Sequence, residues 1–221
     1  MPGEALIDRS STGELAAQIL RTRISEGRYP PGGRLVDAEL AAEFGVSRNI
    51  VREAFRLLSH ERLVVQEFNR GVFVRTPSIA DVIDIYRVRR LIECQAVRIT
   101  RVPAASLTAF AECLEQADRA RATADWLAVG TADLRFHELI AGLAGSERVD
   151  DLIRRLLAEL QLVFHKVDDP RRLHEPYVAR NAELFQLVRA GLQDQAGRYL
   201  ATYLDDSERL LLQAYQGEEP S

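Results

Sequence analysis

The sequence predicts a mostly α-helical protein in two parts, an N-terminal winged helix-turn-helix followed by an all-α antiparallel helical bundle. Three observations carry this. Residues 37–75 (DAELAAEFGVSRNIVREAFRLLSHERLVVQEFNRGVFVR) read as a short helix, a tight turn, a second helix and a β-hairpin. Thr76-Pro77 then breaks the chain, and Ser78-x-x-Asp81 is spaced to cap a new helix. Beyond residue 79 apolar residues recur at helical spacing and no strand pattern is found.

In chain order, residues 1–10 are expected to be a flexible arm. Ser11-x-x-Glu14 is a capping box that opens a helix with Leu15, Ile19 and Ile24 on one face, ended by Gly27. Pro30-Pro31-Gly32-Gly33 is a turn that feeds Arg34 toward the next elements. Leu40, Ala41 and Phe44 form the apolar face of a short helix, Gly45 stops it, and Ser47 caps its successor. In that second helix Ile50, Val51, Ala54, Phe55 and Leu58 share the inward face, which leaves Arg48, Asn49, Arg52 and Arg56 outside. Leu63-Val64-Val65 and Val72-Phe73-Val74 form a hairpin around Asn69-Arg70-Gly71. A helix with a buried back and a basic, amide-bearing front end suits a major groove, and the hairpin is then a wing. The plainer alternative is a helical hairpin with a solvated basic face. The unit spans residues 11–76, and the bundle residues 79–216, with helices near 79–101, 104–121, 124–144, 147–167, 176–191 and 193–215. Breaks at Val102-Pro103, Gly145-Ser146, Asp169-Pro170, Glu175-Pro176 and Gly191 separate them.

Composition fits this division. The net charge is −4, which is unusual for a nucleic-acid binder, but residues 1–76 hold 11 arginines against 10 acids while the rest holds 18 basic and 23 acidic residues. Cys94 and Cys113 are too few for a disulfide framework and fall on helical patterns, so they are expected to be reduced core residues. No apolar run has the length of a membrane span and the start lacks a signal-peptide core, which predicts a cytoplasmic protein with no membrane partner. No phosphate-binding glycine loop, nucleophile elbow or HExxH motif is present.

The first unit resembles the winged helix of the GntR family of bacterial transcription regulators. The matching residues are Pro31-Gly32-Gly33-Arg34-Leu35, Glu39-Leu40-Ala41, Gly45-Val46-Ser47-Arg48, Val51-Arg52-Glu53-Ala54, Leu57-Leu58 and Asn69-Arg70-Gly71. Asn49-Ile50 departs from the family's usual Thr-Pro. Glu61-Arg62-Leu63 departs from Glu-Gly-Leu, which requires Arg62 to take a conformation that favours glycine. The bundle resembles the shorter, six-helix FCD domain attached to many such regulators, through Arg89-x-x-x-Glu93, Asp133-x-x-Phe136-His137 and Arg189-Ala190-Gly191.

The bundle's own pattern places polar residues on inward stripes: Arg89 on the first helix, His137 with Asp133 one turn away on the third, Asn181 on the fifth, Tyr203 and Ser207 on the last. Burying such groups unpaired costs several kcal/mol, so they are expected either to share a polar cavity or to be satisfied separately. The FCD resemblance implies a divalent metal site of one Asp and three His, with its first two positions on Asp133 and His137. The other two fall on Asn181 and Tyr203, so a Zn, Ni or Mn type ion would find the set incomplete. The favoured expectation is a direct effector site. There Asp133 orients His137, Arg89 pairs bidentately with a small carboxylate, and Asn181 and Tyr203 complete the wall. His165 and His174 are expected to be solvated loop residues.

The resulting expectation is a ligand-responsive, DNA-binding repressor of a metabolic operon, acting as a homodimer on a double-stranded operator because one winged helix reads only a few base pairs. Arg48, Asn49 and Arg52 would read bases or adjacent phosphates. Arg34, Ser47, Arg70 and Gly71 would fix the register on the backbone or minor groove. No cofactor is required. The alternatives are a metal-dependent enzyme with an accessory winged helix, and a protein-interaction module that has lost DNA binding.

Overall fold

The structure, a computed structural model, describes residues 7–99 and 102–216, and the chain divides into a compact unit ending at Pro77 and another beginning at Ser78. The first unit contains α1 (Ile7–Ser25), β1 (Arg34–Leu35), α2 (Asp37–Phe44), α3 (Arg48–His60), β2 (Val64–Glu67) and β3 (Gly71–Val74). Most of the expected arm, residues 1–6, lies outside the described residues. Helix α1 already runs from Ile7, so Ser11–Glu14 is helical interior rather than its start. Its buried face is only in part the expected one, with Ile24 buried as expected and Ile19 half-buried. Ala16, Ala17, Leu20 and Ile24 face inward, while Leu15 is 59% exposed. Helix α1 packs on α3, and small side chains allow that close approach.

Helices α2 and α3 follow the predicted chemistry. Gly45 ends α2 at φ 65, and its N–H bonds back to the Ala41 carbonyl. The Ser47 hydroxyl accepts from the Ile50 N–H at 3.4 Å. Val51, Ala54, Phe55 and Leu58 are buried, whereas Ile50 is only half-buried. Full burial of a Val, Leu or Phe side chain stabilises the unit by about 1.5–3 kcal/mol, and of Ala54 by less. Arg62 adopts φ 59, the glycine-favouring conformation required by its sequence context.

The wing has a strand that the sequence pattern did not show. β1 pairs with β3, so the sheet order is β1-β3-β2, all antiparallel, with Arg34 opposite Phe73 and Glu67 opposite Gly71. The Pro30–Gly33 turn is pinned to the same strand by Gly32 N–H to Val74 O (2.9 Å) and Val74 N–H to Gly33 O (2.8 Å).

The second unit contains α4 (Ile79–Ile99), α5 (Ala104–Ala122), α6 (Trp126–Gly142), α7 (Glu147–Phe164), α8 (Pro170–Arg189) and α9 (Gln193–Gln216). Ser78 and Asp81 cap α4 reciprocally: Ser78 N–H reaches Asp81 Oδ2 at 2.7 Å and Asp81 N–H reaches Ser78 Oγ at 3.2 Å. Helix α6 is central, packing on α4, α5, α7 and α8, and α4 lies along α9. Phe110, Phe136 and Phe185 anchor the core, with Phe110–Phe136 centroids 5.2 Å apart. Among the described residues no helix is long and apolar enough to cross a membrane. Both cysteines are free and buried, and burial pushes their thiols up to about 11.

Helix α8 corrects the expected start at 176. Pro170 sits in its first turn, where a missing N–H costs nothing, and the Asp169 carboxylate accepts from Arg172 N–H at 3.2 Å. The helix therefore passes through Pro176, held by buried Leu173, His174 and Tyr177 on either side. His174 is thus not a solvated loop residue. It is 4% exposed, stacks edge-on against Phe164 at 4.8 Å, and fits because position 130 is glycine. A Cβ at 130 would lie 2.6 Å from His174 Nε2. Burial lowers the His174 pKa below 6.5, against an opposing pull from Asp133.

Two outcomes are expected. Gly130→Ala should destabilise the protein by about 1–3 kcal/mol in urea unfolding through overpacking. Adding His174→Ala should then cost less than the two single substitutions sum to, and strict additivity would show that the two positions do not compete for space. Secondly, the unfolded chain takes up the His174 proton before the folded one. Stability should therefore be full above pH 6.5 and decline as pH falls through the depressed folded value. His174→Leu should flatten that part of the melting-temperature profile.

Candidate nucleic-acid interface and effector site

The exposed front of α3 is organised by an acid. Arg48 Nη2 lies 2.8 Å from Asp37 Oδ1, and Arg52 Nε lies 2.7 Å from Asp37 Oδ2. The arginine side chains are 58% exposed and Asp37 only 16%. The Arg52 hydrogen bond is the largest influence on the Asp37 carboxyl; burial opposes it, and the Arg48 hydrogen bond and both positive charges add to it, so the carboxyl is held below its usual range. Asp37 was not singled out from sequence. It lies 11 and 15 residues before its partners, so no helical spacing marks it.

Between α3 and the wing runs a cleft of about 760 Å³ lined by Arg34, Asp37, Arg48, Arg52, Arg56, His60, Gln66 and Gly71, among others. Four of the expected DNA-facing residues, Arg34, Arg48, Arg52 and Gly71, thus share one surface. Arg56, His60 and Gln66 add to it. Ser47 and Asn49 are exposed at the start of α3, and Arg70 sits at the wing tip, paired with Glu67 and 5.6 Å from the Phe73 ring. Gly71 has a positive φ of 112, and a Cβ there would approach Arg34 Nε to 3.4 Å.

In the bundle, four helices bring the inward polar residues into one network. On α4, Arg89 Nε donates to Glu93 Oε1 at 2.7 Å. The other oxygen, Glu93 Oε2, lies 2.6 Å from His137 Nδ1 on α6. His137 Nε2 is 3.2 Å from the Tyr203 hydroxyl on α9. Tyr203 donates to Asp133 Oδ1 at 2.9 Å, and Asn181 Nδ2 on α8 donates to the same oxygen at 2.7 Å. Arg89, Glu93, His137, Asn181 and Tyr203 are all at most 4% exposed. Outside them, Arg180 lies 4.9 Å from the Tyr203 ring and pairs with Asp206 at 3.0 Å.

This arrangement changes two expected roles. Glu93, not Asp133, orients His137: Asp133 Oδ1 is 3.9 Å from His137 Nε2, beyond hydrogen-bond distance. A carboxylate at Nδ1 places the ring proton there. Arg89 is not a free bidentate clamp, because its Nε edge is committed to Glu93. Its Nη2 is buried without a hydrogen-bond partner, as is Asn181 Oδ1. Glu93 was visible in sequence as the i+4 partner of Arg89, but its role depends on a contact 44 residues away.

Charge follows from this geometry. Burial pushes Glu93 upward, but Arg89 and then His137 outweigh it and hold the carboxyl below its usual range. Arg89 is raised: burial opposes its charge, and Glu93, Tyr86 and Asp133 together more than compensate. Burial, then Asp133, lifts the Tyr203 phenol well above 10. The expected polar cavity is filled by these side chains, and the space beside Asp133, His174 and Asn181 is only about 10 Å³.

The side chains present do not fit a transition metal. Asn181 turns its NH2 rather than its oxygen toward Asp133 and burial raises the Tyr203 phenol, so of the four expected positions only Asp133 and His137 are ordinary ligands, and the neighbouring Glu93 carboxylate is committed to Arg89 and His137. Among the described residues no three His, Cys, Asp or Glu side chains are grouped to hold an ion.

Comparison with known proteins agrees with both halves. Residues 12–74 match the family of bacterial regulatory proteins, gntR family, and residues 84–206 match the FCD domain. A crystal structure of a GntR transcriptional regulator from Rhodococcus sp. RHA1 is similar at 44% identity, covering 93% of this chain and 99% of that one, with a TM-score of 0.89. The HTH-type transcriptional regulator YdhC of Bacillus subtilis is 27% identical over 212 residues, 90% of this chain and 91% of its own. The gluconate operon transcriptional repressor of Bacillus licheniformis is 38% identical over 90 residues, 41% of this chain and 37% of its own. With its domain order, fold and full-length similarity in agreement, the chain belongs to the GntR family of bacterial transcription regulators, in the branch that carries an FCD domain, and is not an enzyme.

Proposed function

We propose that this regulator binds duplex DNA in the cytoplasm as a homodimer, through the α3 front and wing, and represses a metabolic operon until a small carboxylate enters the bundle. The single observation that carries the DNA-binding face is the Asp37 clamp. Two arginines at the front of α3 are held extended beside a cleft that also contains Arg34 and Gly71. Arg48, Asn49 and Arg52 read bases or neighbouring phosphates, and Arg34, Ser47, Arg70 and Gly71 set the register. A homodimer doubles the short site that one winged helix reads.

For the effector, support comes from Arg89 Nη2 and Asn181 Oδ1, a buried donor and a buried acceptor without protein partners. A ligand with a carboxylate for Arg89 and an O–H or N–H for Asn181 satisfies both, with Asp133, His137 and Tyr203 on the same network. Since little free volume exists there, binding requires side chains to part. That supplies the differential affinity needed to shift the protein between DNA-competent and DNA-free populations. The direct pocket takes precedence over a metal-bridged one because of the Asn181 and Tyr203 donor chemistry.

The DNA face is tested with duplexes enriched from a random library by the wild-type chain. Replacing both Arg48 and Arg52 by Ala should weaken binding strongly and reduce the slope of log K against log salt by about 2. Undiminished, equally salt-sensitive binding would place DNA on another surface. For the effector, thermal melting against a panel of hydroxy, keto and sugar acids should find at least one that stabilises by about 2.7 kcal/mol at 100 times its Kd. Arg89→Lys, which keeps a cation beside Glu93, should shrink that shift. Equal stabilisation by uncharged analogues, or one divalent ion per chain retained through purification, would overturn the direct carboxylate pocket.

A further inference from the structure

The wing carries a feature that the DNA-binding residues above do not use. Glu67 and Gly71 are the last paired residues of the hairpin, so Phe68, Asn69 and Arg70 form its tip. The turn is closed by Arg70 N–H to Glu67 O at 3.1 Å, with Asn69 in the left-handed conformation at φ 58. Phe68 occupies the outer corner and is 90% exposed. Among the described residues it is the most exposed large apolar side chain, with Leu91 next at 73%. A solitary exposed apolar residue is ordinary on a protein surface. Its position makes this one informative. The ring sits at the end of a narrow two-stranded ribbon, next to Arg70, whose side chain is 72% exposed, and at the end of the strand pair whose Gln66 and Gly71 line the basic cleft. The other wing aromatic, Phe73, lies under the Arg70 guanidinium, which is 5.6 Å from its ring centroid.

We propose that Phe68 is an apolar wedge that enters the minor groove beside the wing and partly unstacks the base step beneath it. The proposal rests on the reading of the wing as DNA-facing. Phosphates on either side of a narrow groove attract Arg70 and Arg34, and their attraction seats the tip. An aromatic ring driven between base pairs costs least at pyrimidine–purine steps, which are the easiest to unstack. Phe68 thereby confers sequence preference at a position where no side chain hydrogen-bonds to a base.

The test uses the full chain and duplexes it enriches from a random library, with 2-aminopurine placed at pyrimidine–purine steps flanking the α3 contact region. With the wild type, 2-aminopurine fluorescence should rise severalfold at one step in each half-site. Phe68→Ala should remove that rise, weaken binding about 10-fold, and relax selection at that step, while leaving the salt slope unchanged because no cation is lost. Phe68→Leu should retain part of the signal. Equal fluorescence, affinity and step preference in Phe68→Ala would overturn the wedge alone. Loss of self-association in Phe68→Ala, with the 2-aminopurine signal intact, would make the ring a contact between copies of the chain and would also overturn it. Failure of the wild type to enrich any duplex would overturn the DNA-facing reading together with the wedge.

Discussion

A carboxylate withdrawn from water has to be matched by cations and donors, and the centre of the bundle is arranged around meeting that condition for Glu93. With no exposed surface, its charge is tolerable only between Arg89 at 2.7 Å and His137 at 2.6 Å. Removing one partner from such a pair typically costs about 3–5 kcal/mol, because the other charge is left stranded. The dependence extends outward. His137 is turned by Glu93, Tyr203 sits against the far side of His137, Asp133 accepts from Tyr203, and Asn181 is drawn to Asp133. Four helices are therefore tied together by polar contacts as well as by the phenylalanine core. An apolar core tolerates small slips between helices, whereas a chain of hydrogen bonds in a low-dielectric interior does not.

The DNA-binding unit uses the same pairing of arginines with one acid, but at the surface, and the difference in burial changes its meaning. Asp37 is sheltered while the ends of Arg48 and Arg52 are more than half exposed. Exposed pairs of this kind contribute about 0–1 kcal/mol. They are strong enough to bias the arginines toward the cleft and weak enough to be exchanged for other acceptors. Pre-ordering two long side chains reduces the conformational entropy lost on binding. A buried version of the same cluster would hold the arginines against their partner, as Glu93 holds Arg89.

What was legible in the sequence follows from how local each feature is. The turn at Gly45, the cap at Ser47, the buried back of α3 and the left-handed Arg62 all depend on neighbours within a few residues, and each is present. So does the start of α4, capped by Ser78 and Asp81. The failures have distant or competing causes. Strand β1 exists only because β3 comes to pair with it, 37 or more residues later. The buried face of α1 is chosen by α3, which prefers Ala16 and Ala17 to Leu15. Pro176 resembles a helix break, yet buried neighbours carry α8 through it and take His174 into the core. In the bundle's polar network, inward stripes on separate helices marked Arg89, Asp133, His137, Asn181 and Tyr203. They did not reveal that Glu93 commands the network, because only tertiary packing decides which acid meets the imidazole.

The centre also shows how a change of two side chains alters the kind of chemistry a bundle site can perform. An aspartate with three imidazoles presents lone pairs that all point to one cation, and such a set repels itself until the cation arrives. Asn181 and Tyr203 instead bring hydrogens, and both direct them to the same oxygen of Asp133. The aspartate's negative charge is then met by two donors, and burial raises the Tyr203 phenol. A site satisfied by its own hydrogens is stable without an ion, but it is also closed. A ligand entering it has to replace contacts with Asp133 or reach the remaining edges of Arg89 and Asn181. Every contact it makes there is therefore linked to a rearrangement of α4, α6, α8 and α9. That linkage, not tightness of binding, allows an effector to alter a regulator's state.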